Sequence, residues 1–150
     1  MFSRYSTFLN ETIYSVGLQP YAVAIVDVNS DNQPDIVTAD SVSDTVTVLL
    51  NTGNGTFSSP TNYSVGVYPI SVAVVDVNND NKHDIVTANL GSNTISVLFN
   101  TGSGTFSPQT TYSVSANPQS VAVADVNSDN KPDIVTANEY SNTVSVLIHC

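Results

Sequence analysis

Short apolar runs separated by clusters of Asp, Asn, Ser and Gly dominate the chain. The run Ala22-Val-Ala-Ile-Val-Asp-Val28 is rich in β-branched residues, ends in turn formers and is too short for a buried helix. It predicts a strand buried on both faces, and Val72 to Val77 and Val121 to Val126 predict the same. A second run covers Asp35 to Ala39, Asp84 to Ala88 and Asp133 to Ala137. A third, with partial alternation and Val/Leu/Ile/Phe enrichment, covers Thr45 to Leu50, Thr94 to Phe99 and Thr143 to Ile148. Between the second and third runs, the polar segments 40–44, 89–93 and 138–142 predict hairpin loops. The Asn-Thr-Gly-x-Gly-Thr-Phe segments at 51–57 and 100–106 predict a tight turn, because glycine adopts the conformations such a turn needs. A fourth, more polar strand then ends at Tyr63-Ser-Val65 or Tyr112-Ser-Val114.

The runs recur at a fixed interval. Asp27, Asp76 and Asp125 are 49 residues apart, as are Tyr14, Tyr63 and Tyr112, and Phe8, Phe57 and Phe106. An internal period of this length is the signature of a repeat architecture built from supersecondary units. Four short strands per unit without a helical period is the strand count of one β-propeller blade. The expected fold is therefore all-β, with antiparallel four-stranded repeats at about 17–65, 66–114 and 115–150.

The phase of the repeat carries its own expectation. The third copy reaches Cys150 without a fourth strand, while an equivalent of that strand, residues 7–16, lies near the N-terminus. Pairing of 7–16 into the last unit would hide open sheet edges. Three units fall below the usual propeller range of about 4–8. Three outcomes stay open: a piece of a longer propeller, copies associating as a homo-oligomer to complete a ring, or closure as three.

Each unit carries one loop of the form D-V-N-x-D-N-x-x-D. The candidate ligands are Asp27, Asn29, Asp31, Gln33 and Asp35; Asp76, Asn78, Asp80, Lys82 and Asp84; and Asp125, Asn127, Asp129, Lys131 and Asp133. Gln33, Lys82 and Lys131 would serve through their backbone carbonyls. Calcium takes six to eight oxygen ligands in flexible geometry, and alternate residues of a tight loop can converge on one centre. The absence of His and Cys from the loops argues against zinc or copper. Position 12 is Thr38, Thr87 or Thr136 and no helices flank the loops, so an EF-hand is excluded. Asn32, Asn81 and Asn130 occupy the position where a left-handed turn is needed, which Asn tolerates. The alternative is that Asp and Asn simply form turns. Three carboxylates and an Asn at fixed offsets, three times over, exceed what a turn requires, so one Ca²⁺ per repeat, three in all, is expected.

Charge supports the same placement. The net charge is −10, with nine of 13 acids in the three loops and only Arg4, Lys82 and Lys131 as cations. Nucleic acid and anionic membranes are thus poor partners, and no apolar run is long enough for membrane insertion as a helix. Met1 to Arg4 is followed by polar sequence, so no signal peptide is visible. Asn10, Asn54 and Asn62 satisfy N-x-[ST], which matters only in eukaryotic secretion. Cys150 is the single cysteine and permits no intrachain disulfide.

With A-V-A-x-x-D-V-N-x-D-N-x-x-D-I-V-T-A, then N-T-V-S-V-L (Asn142 to Leu147), then G-x-G-T-F in view, the units resemble FG-GAP/VCBS repeats, the blades of integrin α-subunit propellers. The resemblance covers nearly all of Phe8 to Ile148. It implies a Ca²⁺-stabilised β-propeller, extracellular or secreted, that works in adhesion or in protein or glycan binding, with the fifteen loop residues holding the ions. The Phe-Gly and Gly-Ala-Pro elements themselves are degenerate here.

Catalysis is not expected. His83 replaces the Pro34 and Pro132 of the other copies, and His149 stands where they have Asn51 and Asn100; neither has a motif around it, and both read as exposed loop or strand-end residues. No G-x-S-x-G elbow is present, and paired carboxylates occur only in the loops. Tyr14, Tyr63 and Tyr112 recur at the repeat spacing and read as packing between units. Tyr21, Tyr68 and Tyr140 do not recur in all copies and are the better candidates for a ligand surface, together with Tyr5 as further stacking area. A Ca²⁺-dependent binding or adhesion module ranks first, a purely structural propeller segment of a larger protein second, and a hydrolase or lyase on a propeller scaffold third.

Overall fold

The computed structural model describes residues 10–150. Among them there is no helix. The first sheet is an antiparallel meander of β1 (Pro20–Val26), β2 (Asp35–Asp40), β3 (Thr45–Leu49) and β6 (Thr61–Ser64). The predicted Gly-x-Gly turn is itself a small hairpin, β4 (Asn51–Gly53) against β5 (Thr56–Phe57), standing between β3 and β6. The second sheet repeats this with β7 (Pro69–Val75), β8 (Asp84–Asn89), β9 (Thr94–Leu98) and β12 (Thr110–Ser113), and with the hairpin β10 (Asn100–Gly102) and β11 (Thr105–Phe106). β13 (Pro118–Ala124), β14 (Asp133–Asn138) and β15 (Thr143–Leu147) form a third sheet of three strands.

Register repeats with the sequence. Thr38 stands opposite Val23 and Thr47, Thr87 opposite Val72 and Ser96, and Thr136 opposite Val121 and Ser145. Each first strand begins with a proline and a register shift, after a residue in the left-handed region: Gln19, Tyr68 or Asn117. Proline suits this position because it supplies no ladder donor.

The core lies between successive sheets. One cluster joins Val28, Val37, Val46 and Val48 of the first unit to Ile85, Leu98 and Phe106 of the second. Another joins Val77, Val86, Ile95 and Val97 of the second to Val121, with Ile134 and Leu147 packed against it. Tyr63 meets Phe106 across the first junction (centroids 5.4 Å apart, planes at 79°), and Tyr14 of the N-terminal segment meets Phe57 of the first unit in the same way (5.3 Å, 80°). Both are edge-to-face arrangements, which the ring quadrupoles favour. Tyr63 thus packs between units as its spacing predicts, whereas Tyr14 packs on the first unit from the N-terminal segment and Tyr112 is 40% exposed.

Two expectations need correcting. The first apolar run is not buried on both faces in the first unit, where Val23 and Ile25 are 62% and 60% exposed, nor in the third, where Ala122, Ala124 and Val126 are exposed. The face of Val23 and Ile25 has no preceding sheet, whereas its counterparts Val72 and Val74 are packed against the first junction. The segment 7–16 does not complete the third sheet over its described part. Residues 10–16 form no strand, and β15 has no fourth partner among the described residues. Tyr14 is instead held at Phe57, beside the first unit. Residues 7–9 of that expected strand lie outside the described residues. The sheets therefore follow one another without closing into a ring among the described residues.

Candidate metal centre

Each acidic loop joins the first strand of a unit to the second. Its curvature comes from two left-handed residues: Ser30 and Asn32 (both φ 64), Asn79 and Asn81 (61 and 64), and Ser128 and Asn130 (both 65). The second of each pair is the Asn expected from the sequence; the first was not anticipated. Residues alternating between right- and left-handed conformations turn successive N–H groups into one concavity, which attracts an anion.

The anion in that concavity is the first Asp of the loop itself. Asp27 Oδ1 accepts from the amides of Ser30 (2.7 Å), Asn29 (3.2 Å) and Asp31 (3.3 Å), and Oδ2 accepts from Asn32 (2.7 Å). Asp76 accepts from Asn78, Asp80 and Asn81, and Asp125 from Ser128, Asp129 and Asn130. Desolvation pushes the Asp27 carboxyl up, but the amides of Asn32, Ser30, Asp31 and Asn29 outweigh it and hold it below the usual carboxylate value. Asp125 is lowered in the same way: its amide donors, Asn130 first, overcome desolvation.

The middle Asp makes a smaller turn. Asp31, Asp80 and Asp129 each accept from the amide two residues on, that of Gln33, Lys82 or Lys131, at 2.8 to 2.9 Å. Asn29 and Asn127 donate from Nδ2 to Asp31 and Asp129. Lys82 Nζ sits 2.8 Å from Asp80, and this hydrogen bond lowers the Asp80 carboxyl and raises the Lys82 ammonium.

The last Asp is fully buried and ties the loop to the sheet. Asp84 Oδ2 accepts from Val77 N (3.0 Å) and Oδ1 from Asn100 N (2.8 Å). Asp35 does the same with Val28 and Asn51, and Asp133 with Val126 and His149. Burial pushes the Asp84 carboxyl up, against the amides of Asn100 and Val77, and the charges of Asp80 and Asp76 push it further. The three carboxylates of that loop therefore act on one another.

All candidate side-chain donors are oxygens, and the five-residue set recurs in the same conformation three times. Each carboxylate oxygen has two lone pairs, so an amide on each oxygen of Asp84 leaves acceptor capacity for a cation. Chemically the set fits a hard cation such as Ca²⁺. Among the described residues, however, no group of three or more Asp, Glu, His or Cys side chains converges as metal ligands do. Asp27, Asp31 and their counterparts face the loop's own amides.

The loops also bind neighbouring units. His83 Nδ1 lies 2.9 Å from the Asp27 carbonyl oxygen, and Asn79 Nδ2 donates to Asn130 O at 3.3 Å. Asn100 Nδ2 donates to both Val28 O and His83 O. His83 is thus half-buried and part of a junction, not the exposed loop residue its sequence context suggested. Of the non-recurring tyrosines, Tyr21 and Tyr140 are exposed, at 65% and 77%, and Tyr68 is half-buried.

A second polar group escaped the sequence reading. Asp40 is buried and accepts from Thr38 Oγ1 (2.9 Å) and Thr47 Oγ1 (2.5 Å). Its counterpart Asn89 accepts from Thr87 and donates to Ser96. A buried charge is costly where a neutral amide can make the same bonds. An Asn at 40 could donate to Thr47 and free that hydroxyl for Asn62, 3.0 Å away. Asp40→Asn should therefore be neutral or stabilising by up to about 1 kcal/mol in urea unfolding; a clear loss would show that both Thr bonds need the carboxylate.

The family model of the FG-GAP-like repeat matches residues 27–87 and 76–136. No curated protein matches the chain significantly. In a functionally unknown protein from Desulfotomaculum acetoxidans a similar structure is found, with TM-score 0.61 and 18% identity, over 89% of this chain and 42% of that one. The Photorhabdus luminescens Tc holotoxin pore is similar over 89% of this chain and 7% of its own, with TM-score 0.58 and 16% identity. At these identities the likeness concerns the fold. The chain spans less than half the length of either.

Proposed function

This chain belongs to the FG-GAP-like repeat family, and from that premise we propose that it is a Ca²⁺-binding set of β-propeller blades serving extracellular adhesion or protein or glycan binding. The observation that carries the metal reading is the loop of five oxygen donors repeated in one conformation at Asp27 to Asp35, Asp76 to Asp84 and Asp125 to Asp133. In the second loop mutual repulsion of carboxylates contributes to the raised Asp84. A divalent cation would relieve it. Three ions would set six positive charges against the net −10.

Ligation needs Asp27, Asp31 and their counterparts to turn a lone pair each toward the ion, with Asn29, Asn78 and Asn127 presenting Oδ1. The buried Asp35, Asp84 and Asp133 are already fixed by their amide donors. Binding of a protein or glycan would then use surfaces held in place by the loops, with exposed Tyr21 and Tyr140 offering stacking area.

Thermal unfolding with millimolar Ca²⁺ against chelator tests the metal. Each site held at ten times its dissociation constant should add about 1.4 kcal/mol, so three sites add about 4 kcal/mol. An unchanged unfolding temperature would sink the calcium reading.

One observation favours a second reading, a purely structural segment of a larger protein. The loop carboxylates already satisfy backbone amides, so they can hold the turns without an ion. On that reading Ca²⁺ leaves stability unchanged, and no glycan or protein probe is retained with or without it.

A further inference from the structure

We propose that the open end of the third sheet is a docking site for a second copy of this chain, whose Thr7-Phe8 segment seats its aromatic ring there. The proposal rests on sheet packing and not on the calcium reading. Between the second and third units lies a cavity of about 310 Å³, lined mainly by Val77, Val97, Phe99, Tyr112, Ile134 and Leu147. Moved back by 49 residues these are Val28, Val48, Leu50, Tyr63, Ile85 and Leu98. At the preceding junction those residues surround Phe106 or pack against its cluster, and Tyr63 meets the Phe106 ring edge-on. The hairpin that carries Phe106 packs as closely: a Cβ at Gly104 would lie 2.8 Å from Leu50 and 3.4 Å from Asn29. The cavity lining therefore matches the seat of a Thr-Phe hairpin.

Besides Thr56-Phe57 and Thr105-Phe106, the chain holds one further Thr-Phe pair, Thr7-Phe8, at the same phase. In the same register as Val46 opposite Tyr63 and Thr45 opposite Ser64, the segment would place Tyr14 beside Val144 and Ser15 beside Thr143, adding a fourth strand to β15. Tyr14 is already held at Phe57, as Tyr63 is held at Phe106. The N-terminal segment thus stands beside its own first unit as the fourth strand of a preceding sheet would.

The faces that would meet are apolar and complementary by repetition. Tyr21, Val23 and Ile25 are 60–65% exposed at one end, and Val144, Val146 and Ile148 are 48–62% exposed at the other. Their counterparts Val72 and Val74, and Val46 and Val48, pack together at the first junction. Both faces are exposed, so they do not meet each other among the described residues, and a second copy of this chain offers each the face it fits. This contact is heterologous, and two copies closing on each other would make a ring of six sheets, within the range of about 4–8 for propellers.

Sedimentation velocity of the 150-residue protein, with Ca²⁺ and with chelator, reads the outcome. Mass above the monomer is expected at concentrations up to about 100 µM, falling on dilution. Phe8→Ala, outside the described core, should weaken association at least about tenfold with the monomer still folded by circular dichroism. Val146→Glu, on the exposed face, should do the same. A monomer at all concentrations in both buffers, or association indifferent to both variants, overturns the proposal. In Phe8→Cys, a short bis-maleimide should join the new thiol to the exposed Cys150, which lines the cavity. Linkage between copies of two tagged sizes supports the second copy; linkage within one chain, with no mixed product, overturns it.

Discussion

Asp84→Ala should lower stability by about 3–5 kcal/mol, because it leaves two buried amides without their charged acceptor. Those amides belong to Val77, which opens the acidic loop, and Asn100, which opens the β10–β11 hairpin. Both donors lie in the interior of the middle unit, where Asp84 has no exposed surface, and alanine leaves a gap too polar to close. Urea unfolding with Ca²⁺ chelated isolates this effect from any metal. Asp80→Ala is the control, since Asp80 is exposed and joined only to Lys82 and neighbouring loop groups, and its loss should be much smaller. Equal losses in the two variants would show that the buried clasp is not what Asp84 contributes. The same clasp exists at Asp35 and Asp133, so the last Asp of the loop has a structural duty that any cation would share.

The second large effect is expected at Phe106. Phe106→Ala removes a ring that is 8% exposed, packed with residues of both the first and second units and edge-on to Tyr63. Truncating such a buried Phe costs about 3–5 kcal/mol. Because it couples neighbouring units, its loss should also broaden or split the thermal transition, as repeat arrays do when an interface term weakens. Phe57→Ala makes the comparison, since Phe57 is only half-buried and meets the N-terminal Tyr14; its cost should be clearly smaller. Equal costs, or a single sharp transition in Phe106→Ala, would mean that the ring fills its own unit and does not join two. The comparison also bears on the docking proposed at the third sheet, where the Phe8 ring of another copy would take the counterpart seat.

These two residues separate the structural from the chemical use of the family's motifs. The G-x-G-T-F hairpin supplies a ring that locks one sheet to the one before. The acidic loop supplies a buried clasp at its last Asp and an amide-bound carboxylate at its first. Ca²⁺, if it binds, adds to a loop that is already shaped: Asp27 is turned onto the amides of Ser30 and Asn32, and Asp35 is anchored to the sheet.

The sequence by itself determined the strands and their repetition. The apolar runs at Ala22–Val28, Asp35–Ala39 and Thr45–Leu50 reappear as β1, β2 and β3 with ends shifted by one or two residues. Pattern and turn chemistry are local, and three copies state them three times. The left-handed Asn32, Asn81 and Asn130 were legible for the same reason. Tertiary structure decided what local pattern cannot carry. Val23 and Val72 stand at the same place in the repeat, between small residues, yet Val23 is exposed and Val72 packed, because only the second has a sheet in front of it. Asp35 and Asp31 look alike as loop acids, but only Asp35 is drawn into the sheet, by the amide of Asn51, 16 residues away. The Asp40–Thr38–Thr47 group forms only once β2 and β3 are paired. The place of residues 10–16 beside the first unit, and not on β15, was likewise settled by the packing of Tyr14 on Phe57. Strand identity follows from a few adjacent side chains, whereas burial and partnership depend on which unit happens to stand next to which.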